Sequence, residues 1–134
     1  MTIYLAGPWA CKPLVREART RLEAAGITVN ADWIDLHQDD TPMRESAYHD
    51  LEQIRGADGF VVIAVPGIKS EGKASEFMAA YLWGKRPIVV GDRSQNVFYH
   101  MDQATVVETV EDAINALHSR HREKACPVIS THGR

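Results

Sequence analysis

At 134 residues and 45 % hydrophobic, the chain is long enough to bury one core and too short for two. Its 15 basic and 18 acidic residues leave a net charge of −3, which excludes a global field that would recruit nucleic acid or an anionic membrane. Cys11 and Cys126 form no C-x-x-C pair, nothing resembles a signal peptide, and no apolar run has spanning length, so the expectation is a cytoplasmic protein with reduced thiols.

The chain opens with "TIYLAG", a β-rich apolar run closed by the turn signal Gly7-Pro8. Pro13 then suits the first turn of a helix running to about Ala25, and Gly26 ends it. "ITVN" predicts a second strand leading into a polar stretch over 32–41, where Trp33 is a candidate either for stacking on a base or for the core. Pro42 opens a helix to about Gly56, with Met43, Ala47, Leu51 and Ile54 as the expected buried stripe. "GFVVIAV" is apolar on both faces, as a central strand of a covered parallel sheet must be. In "SEGKASEFMAAYLWGKRPIVV" a turn passes into an amphipathic helix and then a fourth strand. Ala74, Phe77, Met78, Tyr81 and Leu82 form the expected inward stripe, with Glu76 on the far side of it, in the first helical turn. A loop through "RSQNVFYHM", a short strand "ATVVE" and a helix from about Val110 to His121 complete the pattern. Five strands alternating with helices predict a doubly wound, flavodoxin-like or Rossmann-like α/β sandwich with parallel strand order 2-1-3-4-5. Residues 1–122 are expected to form the single domain and 123–134, which carry no period, a flexible tail.

Ligands of such sheets bind at the carboxyl ends of the strands. Those ends are the loops "AGPWACK", "PGIKSEGK" and "GDRSQNVF", which makes Gly7, Ser70 and Gly72 candidate substrate contacts. Ser70 and Gly72 stand just before a helix, where backbone N–H groups hold a phosphate or the serine simply caps the helix. Asp50 falls at the edge of its helix's apolar stripe, so its carboxylate is either paired locally or aimed into a cleft with a raised pKa suited to acid catalysis. Asp58, immediately before the third strand, reads as a turn residue. The six histidines, His37, His49, His100, His118, His121 and His132, do not cluster at ligand spacing, and no metal or cofactor is expected.

"IYLAGP", the two aspartates of "DLEQIRGADGFVVIA", and S-x-G-x-x-x-E followed by A-x-x-x-G-K-x-P-I together resemble the nucleoside 2-deoxyribosyltransferases and their relatives, the 2'-deoxynucleoside 5'-monophosphate N-glycosidases. The likeness covers roughly residues 2–101. It implies that Glu76 attacks the anomeric carbon to form a glycosyl ester, that Asp50 contacts the leaving base and helps protonate it, and that the Tyr4 hydroxyl orients the nucleophile. On this view the helix N-terminus keeps Glu76 anionic while burial raises the pKa of Asp50.

Transferases acting on free nucleosides tend to carry a carboxylate at the position of Ser70, and the monophosphate hydrolases a serine. The serine here, with Lys69, Lys73 and Arg93 as further positive charges, therefore implies a small-molecule nucleotide substrate and hydrolysis; base exchange between deoxynucleosides is the alternative. The resemblance also implies a homodimer or larger homo-oligomer, to which Asn96 contributes across subunits. Ala79, Ala80 and Trp83 supply the apolar face it would cover. A nucleotide-binding sensor without turnover is the competing class, against which the joint presence of Asp50 and Glu76 argues.

Overall fold

The computed structural model describes residues 1–36 and 42–125. The strands are β1 (Thr2–Ala6), β2 (Thr28–Val29), β3 (Gly59–Ala64), β4 (Ile88–Gly91) and β5 (Thr105–Val107). All pair in parallel in the expected order β2-β1-β3-β4-β5. Helices α1 (Lys12–Ala24) and α4 (Val110–Ala125) lie together on one face, and α2 (Met43–Gly56) and α3 (Glu71–Leu82) on the other. Helices α1, α2 and α3 connect β1 to β2, β2 to β3 and β3 to β4, while β4 reaches β5 through two short 3₁₀ turns; with helices on both faces β3 is buried at every residue, as its unbroken apolar run requires. Helix α4 continues past the expected end at His121 to Ala125, and the tail expected beyond it lies outside the described residues from 126 onward.

Registers fix what each face sees. Ile3 sits opposite Gly59, and a Cβ on Gly59 would meet Leu117 of α4 at 3.6 Å, so this row points to the α1–α4 layer. The next row, Tyr4 opposite Phe60, points to the other layer, where the two rings stack at 5.7 Å and Phe77 of α3 meets Phe60 edge-on. Asp58 accepts from the Thr2 amide at 2.9 Å and pins β1 to the start of β3, a structural use of that turn residue.

The stripe expected on α2 is rotated in the structure, and that on α3 holds in part, with Phe77 buried and Met78 and Tyr81 packed against the core. On α2 only Ile54 is buried; Met43 is 86 % exposed, and Ala47 and Leu51 face outward too. The inward face is Ser46, Asp50, Gln53 and Ile54, at spacings of four, three and one. It is polar because it faces polar partners: Gln53 exchanges hydrogen bonds with Asn30 and receives the Asp32 amide. On α3 the buried residues are Lys73, Phe77 and Ala80, with Glu76 half-buried on the same side, while Leu82 is 75 % exposed. Ala80 thus belongs to the core and not to an outer apolar face. That outer face is instead made by Met43, Tyr48 and Leu51 of α2 and by Leu82 and Trp83 at the end of α3.

Candidate active site

Three elements bring three oxygen-bearing side chains together. Tyr4 comes from the centre of β1, Asp50 from the middle of α2 and Glu76 from the second turn of α3, all on the α2–α3 face of the sheet. The Tyr4 hydroxyl donates to Glu76 Oε2 at 2.7 Å, and the carboxyl groups of Glu76 and Asp50 share a hydrogen bond. Tyr4 itself has no exposed surface, so its ring is fixed by the Phe60 stack and only its hydroxyl reaches the pair.

The electrostatics run opposite to the sequence expectation for Glu76 and agree with it for Asp50, whose pKa burial raises. Glu76 is the sixth residue of α3, past the free N–H groups of the first turn, and burial pushes its pKa up to about 8. The Tyr4 hydrogen bond opposes that rise, whereas the charge of Asp50 and the bond to it add to it. Burial also raises Asp50, but less decisively, because His49 and the Glu76 bond pull it back while Asp32 pushes it up. Two carboxyls in contact cannot both ionise freely. The proton rests on Glu76, and Asp50 accepts it. Burial together with the neighbouring carboxylates raises Tyr4 strongly, which keeps its hydroxyl a donor.

The remaining candidates gather elsewhere. Ser70 caps α3, accepting from the Lys73 amide at 3.4 Å, and Asn96 caps a short 3₁₀ turn by accepting from the Phe98 amide at 2.9 Å. Both line a hollow of 190 Å³ at the start of α3, together with Lys69, Glu71, Lys73 and Tyr99. Six residues of helix separate Ser70 from Glu76, ~9 Å along the axis, a span comparable with a sugar and its 5'-phosphate. Gly72 is exposed beside Ser70, and a Cβ there would meet nothing nearer than Ser70 Oγ at 3.8 Å. Gly7 is a packing position: a Cβ would come within 2.7 Å of Val15 Cγ2, so glycine lets α1 close against the end of β1.

Trp33 takes the core place of the two expected for it, its indole N–H donating to the Leu5 carbonyl at 2.8 Å, and the exposed aromatic packed on it is Trp9, at 6.1 Å, with the Lys12 ammonium over its ring at 3.5 Å. The His118 ring bonds the Ala25 carbonyl at 3.1 Å. His49 contacts Asp32 at 2.9 Å, and His37 and His132 lie outside the described residues. Among the described residues no group of His, Cys, Asp and Glu could hold a metal ion. Lys73, which hydropathy places with the surface lysines, is buried. Its place at i−3 from Glu76 and i−4 from Phe77 is the signal in the sequence that could have found it.

A larger cavity, 670 Å³, lies at the opposite end of the sheet between Met1, Asp58, Arg86 and Arg120. Two of its cations are committed within the protein: Arg120 donates to the Arg86 carbonyl and to Thr105 Oγ1, and Lys85 to the carbonyls of Arg55 and Ala57. None of the carboxyl pair borders it.

No family model and no curated protein sequence matches the chain. Solved structures do. A 2-deoxyribosyltransferase from Bacillus psychrosaccharolyticus is similar with a TM-score of 0.69 and 24 % identity, covering 86 % of this chain and 91 % of that one. A conserved protein from Enterococcus faecalis V583 is similar with a TM-score of 0.70 and 17 % identity over 90 % and 98 % of the two chains. A CMP N-glycosidase from Clostridium botulinum is similar with a TM-score of 0.58 and 15 % identity over 89 % and 99 %. The chain therefore has the fold of both kinds of enzyme that its sequence resembles.

Proposed function

We propose that the chain cleaves the N-glycosidic bond of a 2'-deoxynucleoside 5'-monophosphate and releases the free base. The observation that carries this reading is the Tyr4–Glu76–Asp50 cluster, two carboxyls joined by a hydrogen bond with a fixed hydroxyl on one of them. Such a pair holds one proton, and both chemical tasks need that proton to move the same way. It passes from Glu76 to Asp50, which leaves Glu76 a carboxylate beside the anomeric carbon and Asp50 an acid beside the base. The Glu76 oxygen bonds to C1', the C1'–N bond breaks, and the base nitrogen takes the proton from Asp50. Water then attacks C1' of the glycosyl ester, Asp50 accepts its proton, and Glu76 departs as the leaving group. Tyr4 holds one Glu76 oxygen, fixing which oxygen attacks.

Base exchange is the second reading, favoured by Glu71, an exposed carboxylate bordering the same hollow as Ser70 and able to accept from a 5'-hydroxyl. Both readings extend to a second copy of the chain, since Met43, Tyr48, Leu51, Leu82 and Trp83 leave the α2–α3 layer apolar toward solvent; sedimentation of a monomer at micromolar concentration would count against that extension. No helix among the described residues is long and apolar enough to cross a membrane. The deciding experiment is incubation with deoxynucleosides and their 5'-monophosphates, with and without an acceptor base. Free base from the monophosphate without acceptor supports hydrolysis. Base exchange on nucleosides favours the transferase, and binding with no turnover would sink both in favour of a sensor.

A further inference from the structure

Lys73 is the buried charged side chain among the described residues, 3 % exposed. Its ammonium donates to the Ile68 carbonyl at 3.1 Å and to Gln95 Oε1 at 2.8 Å. Both acceptors are neutral, and no ion pair of the described residues includes it. A cation out of water without an ion-pair partner is unfavourable, and burial accordingly lowers its pKa, with Cys11 acting against that. One of its three N–H groups has no protein acceptor. Tyr99 supplies an independent deficiency. It is buried, its hydroxyl has no hydrogen-bond partner, and burial pushes its pKa up to about 12, so the group remains a donor.

Both residues line the hollow at the start of α3, where free helix N–H groups favour an anion. Lys69 and Glu71, both exposed at its rim, offset one another in charge. At 190 Å³ the hollow has room for a phosphate and a few waters, at about 30 Å³ per water. We infer that this hollow receives a phosphoryl group, with Lys73 as its fixed counter-charge and Tyr99 as a donor to it, so that these two residues set the preference for a 5'-monophosphate over a nucleoside. The inference rests on the glycosidic-cleavage reading for its substrate, but the hollow can be tested without it.

Inorganic phosphate is the first probe, titrated calorimetrically into wild type, Lys73→Gln and Tyr99→Phe. Wild type should bind it, Lys73→Gln should weaken binding at least tenfold, and Tyr99→Phe should weaken it without lowering thermal stability, since its hydroxyl satisfies nothing in the free protein. With substrates, the ratio of kcat/KM for a deoxynucleoside 5'-monophosphate over the matching nucleoside should fall at least tenfold in Lys73→Gln, mainly through KM. Inorganic phosphate should compete with the monophosphate and not with the nucleoside. Equal losses on both substrates would make Lys73 a strut between α3 and the Gln95 loop and overturn the inference. Phosphate binding indifferent to both substitutions would overturn it too, as would equal inhibition of both substrates by phosphate, the sign of a separate effector. If wild type releases base from neither substrate, the cleavage reading falls, and the phosphate titration alone decides whether the hollow is an anion site.

Discussion

Glu76→Gln tests the carboxyl pair without knowledge of the substrate. Gln keeps the shape of the side chain, an acceptor for Tyr4 and an N–H donor for Asp50, but has no proton to lose. In the wild type the Glu76 pKa lies at about 8 against an ordinary value of 4.5. Because the folded value is the higher one, the stabilisation is complete below the unfolded pKa and is lost as pH rises through the folded one. At 1.36 kcal/mol per pH unit the loss has an upper limit of roughly 5 kcal/mol, reduced because Asp50 shares the proton and the two groups titrate as a pair. Even half of that limit is about 2 kcal/mol, large beside the stability of a small domain. Urea denaturation of both proteins between pH 5 and 9, followed by tryptophan fluorescence, should show the variant gaining stability relative to wild type as pH rises. Parallel stability curves would mean that Glu76 is not a buried, protonated acid, and the shared-proton mechanism would fail with it. The same variant should lose base release: residual activity above a tenth corresponds to a barrier raised by less than ~1.4 kcal/mol, too little for a missing nucleophile.

Tyr4→Phe should cut kcat by roughly 10- to 100-fold, the worth of a hydrogen bond to a charged group at about 1.5–3 kcal/mol. Since the Tyr4 bond lowers the Glu76 pKa, and the working pair must keep its one proton, its removal should also move the alkaline limb of the pH–rate profile upward, and an unmoved limb would dissociate Tyr4 from the nucleophile. Asp50→Asn should slow release of natural bases far more than release of p-nitrophenolate, which leaves unprotonated; equal losses would reduce Asp50 to a positioning role. Ser70→Asp puts a charge in the hollow at the start of α3, worth on the order of 4 kcal/mol against each phosphate charge at 4 Å and an effective dielectric near 20. Activity on monophosphates should fall at least tenfold relative to nucleosides, and a constant ratio would place the phosphate elsewhere.

The sheet is legible in the sequence because its information is redundant. Strands β1, β3 and β4 are apolar on both faces, so their burial does not depend on choosing a face, and the glycine and proline turns fix where each ends. The two helices that build the site are legible in extent but not in rotation. Periodicity assigns the apolar stripe to the core, but α2 carries a polar inward stripe of Ser46, Asp50 and Gln53 and an apolar outward one of Met43, Ala47 and Leu51. On α3 the inward stripe contains Lys73 and Glu76, which hydropathy moves to the surface. The discrepancy has one physical source. Inward side chains that meet polar partners, Gln53 with Asn30 on α2 and Glu76 with Tyr4 and Asp50 on α3, stay polar under cover, so the hydropathy rule fails there and succeeds elsewhere. Periodicity puts Glu76 on the wrong side of its helix, and the expected sign of its charge state fails with it, because a buried second-turn carboxyl is governed by desolvation and not by the helix N-terminus.

If the site runs the proposed cleavage, with Glu76 as nucleophile and Asp50 as acid, the hydrogen-bond order in the cluster limits how it can do so. A protonated glutamate is a poor nucleophile and an aspartate carboxylate is no acid, so the resting assignment is inert in both roles. Transfer of one proton across the existing Glu76–Asp50 bond reverses both assignments together, and the Tyr4 bond at 2.7 Å offsets the burial of the Glu76 charge once that proton has gone. A base nitrogen arriving at Asp50 supplies the acceptor that makes the transfer favourable. Without a bound base the proton returns to Glu76, where burial holds it. Activation of the nucleophile is then coupled to occupancy of the base site, which water alone does not provide. That coupling serves hydrolysis and base exchange equally. On the proposed reading, the choice between them rests on whether water or a second base reaches C1' of the glycosyl ester, and on whether the hollow at the start of α3 receives a phosphate.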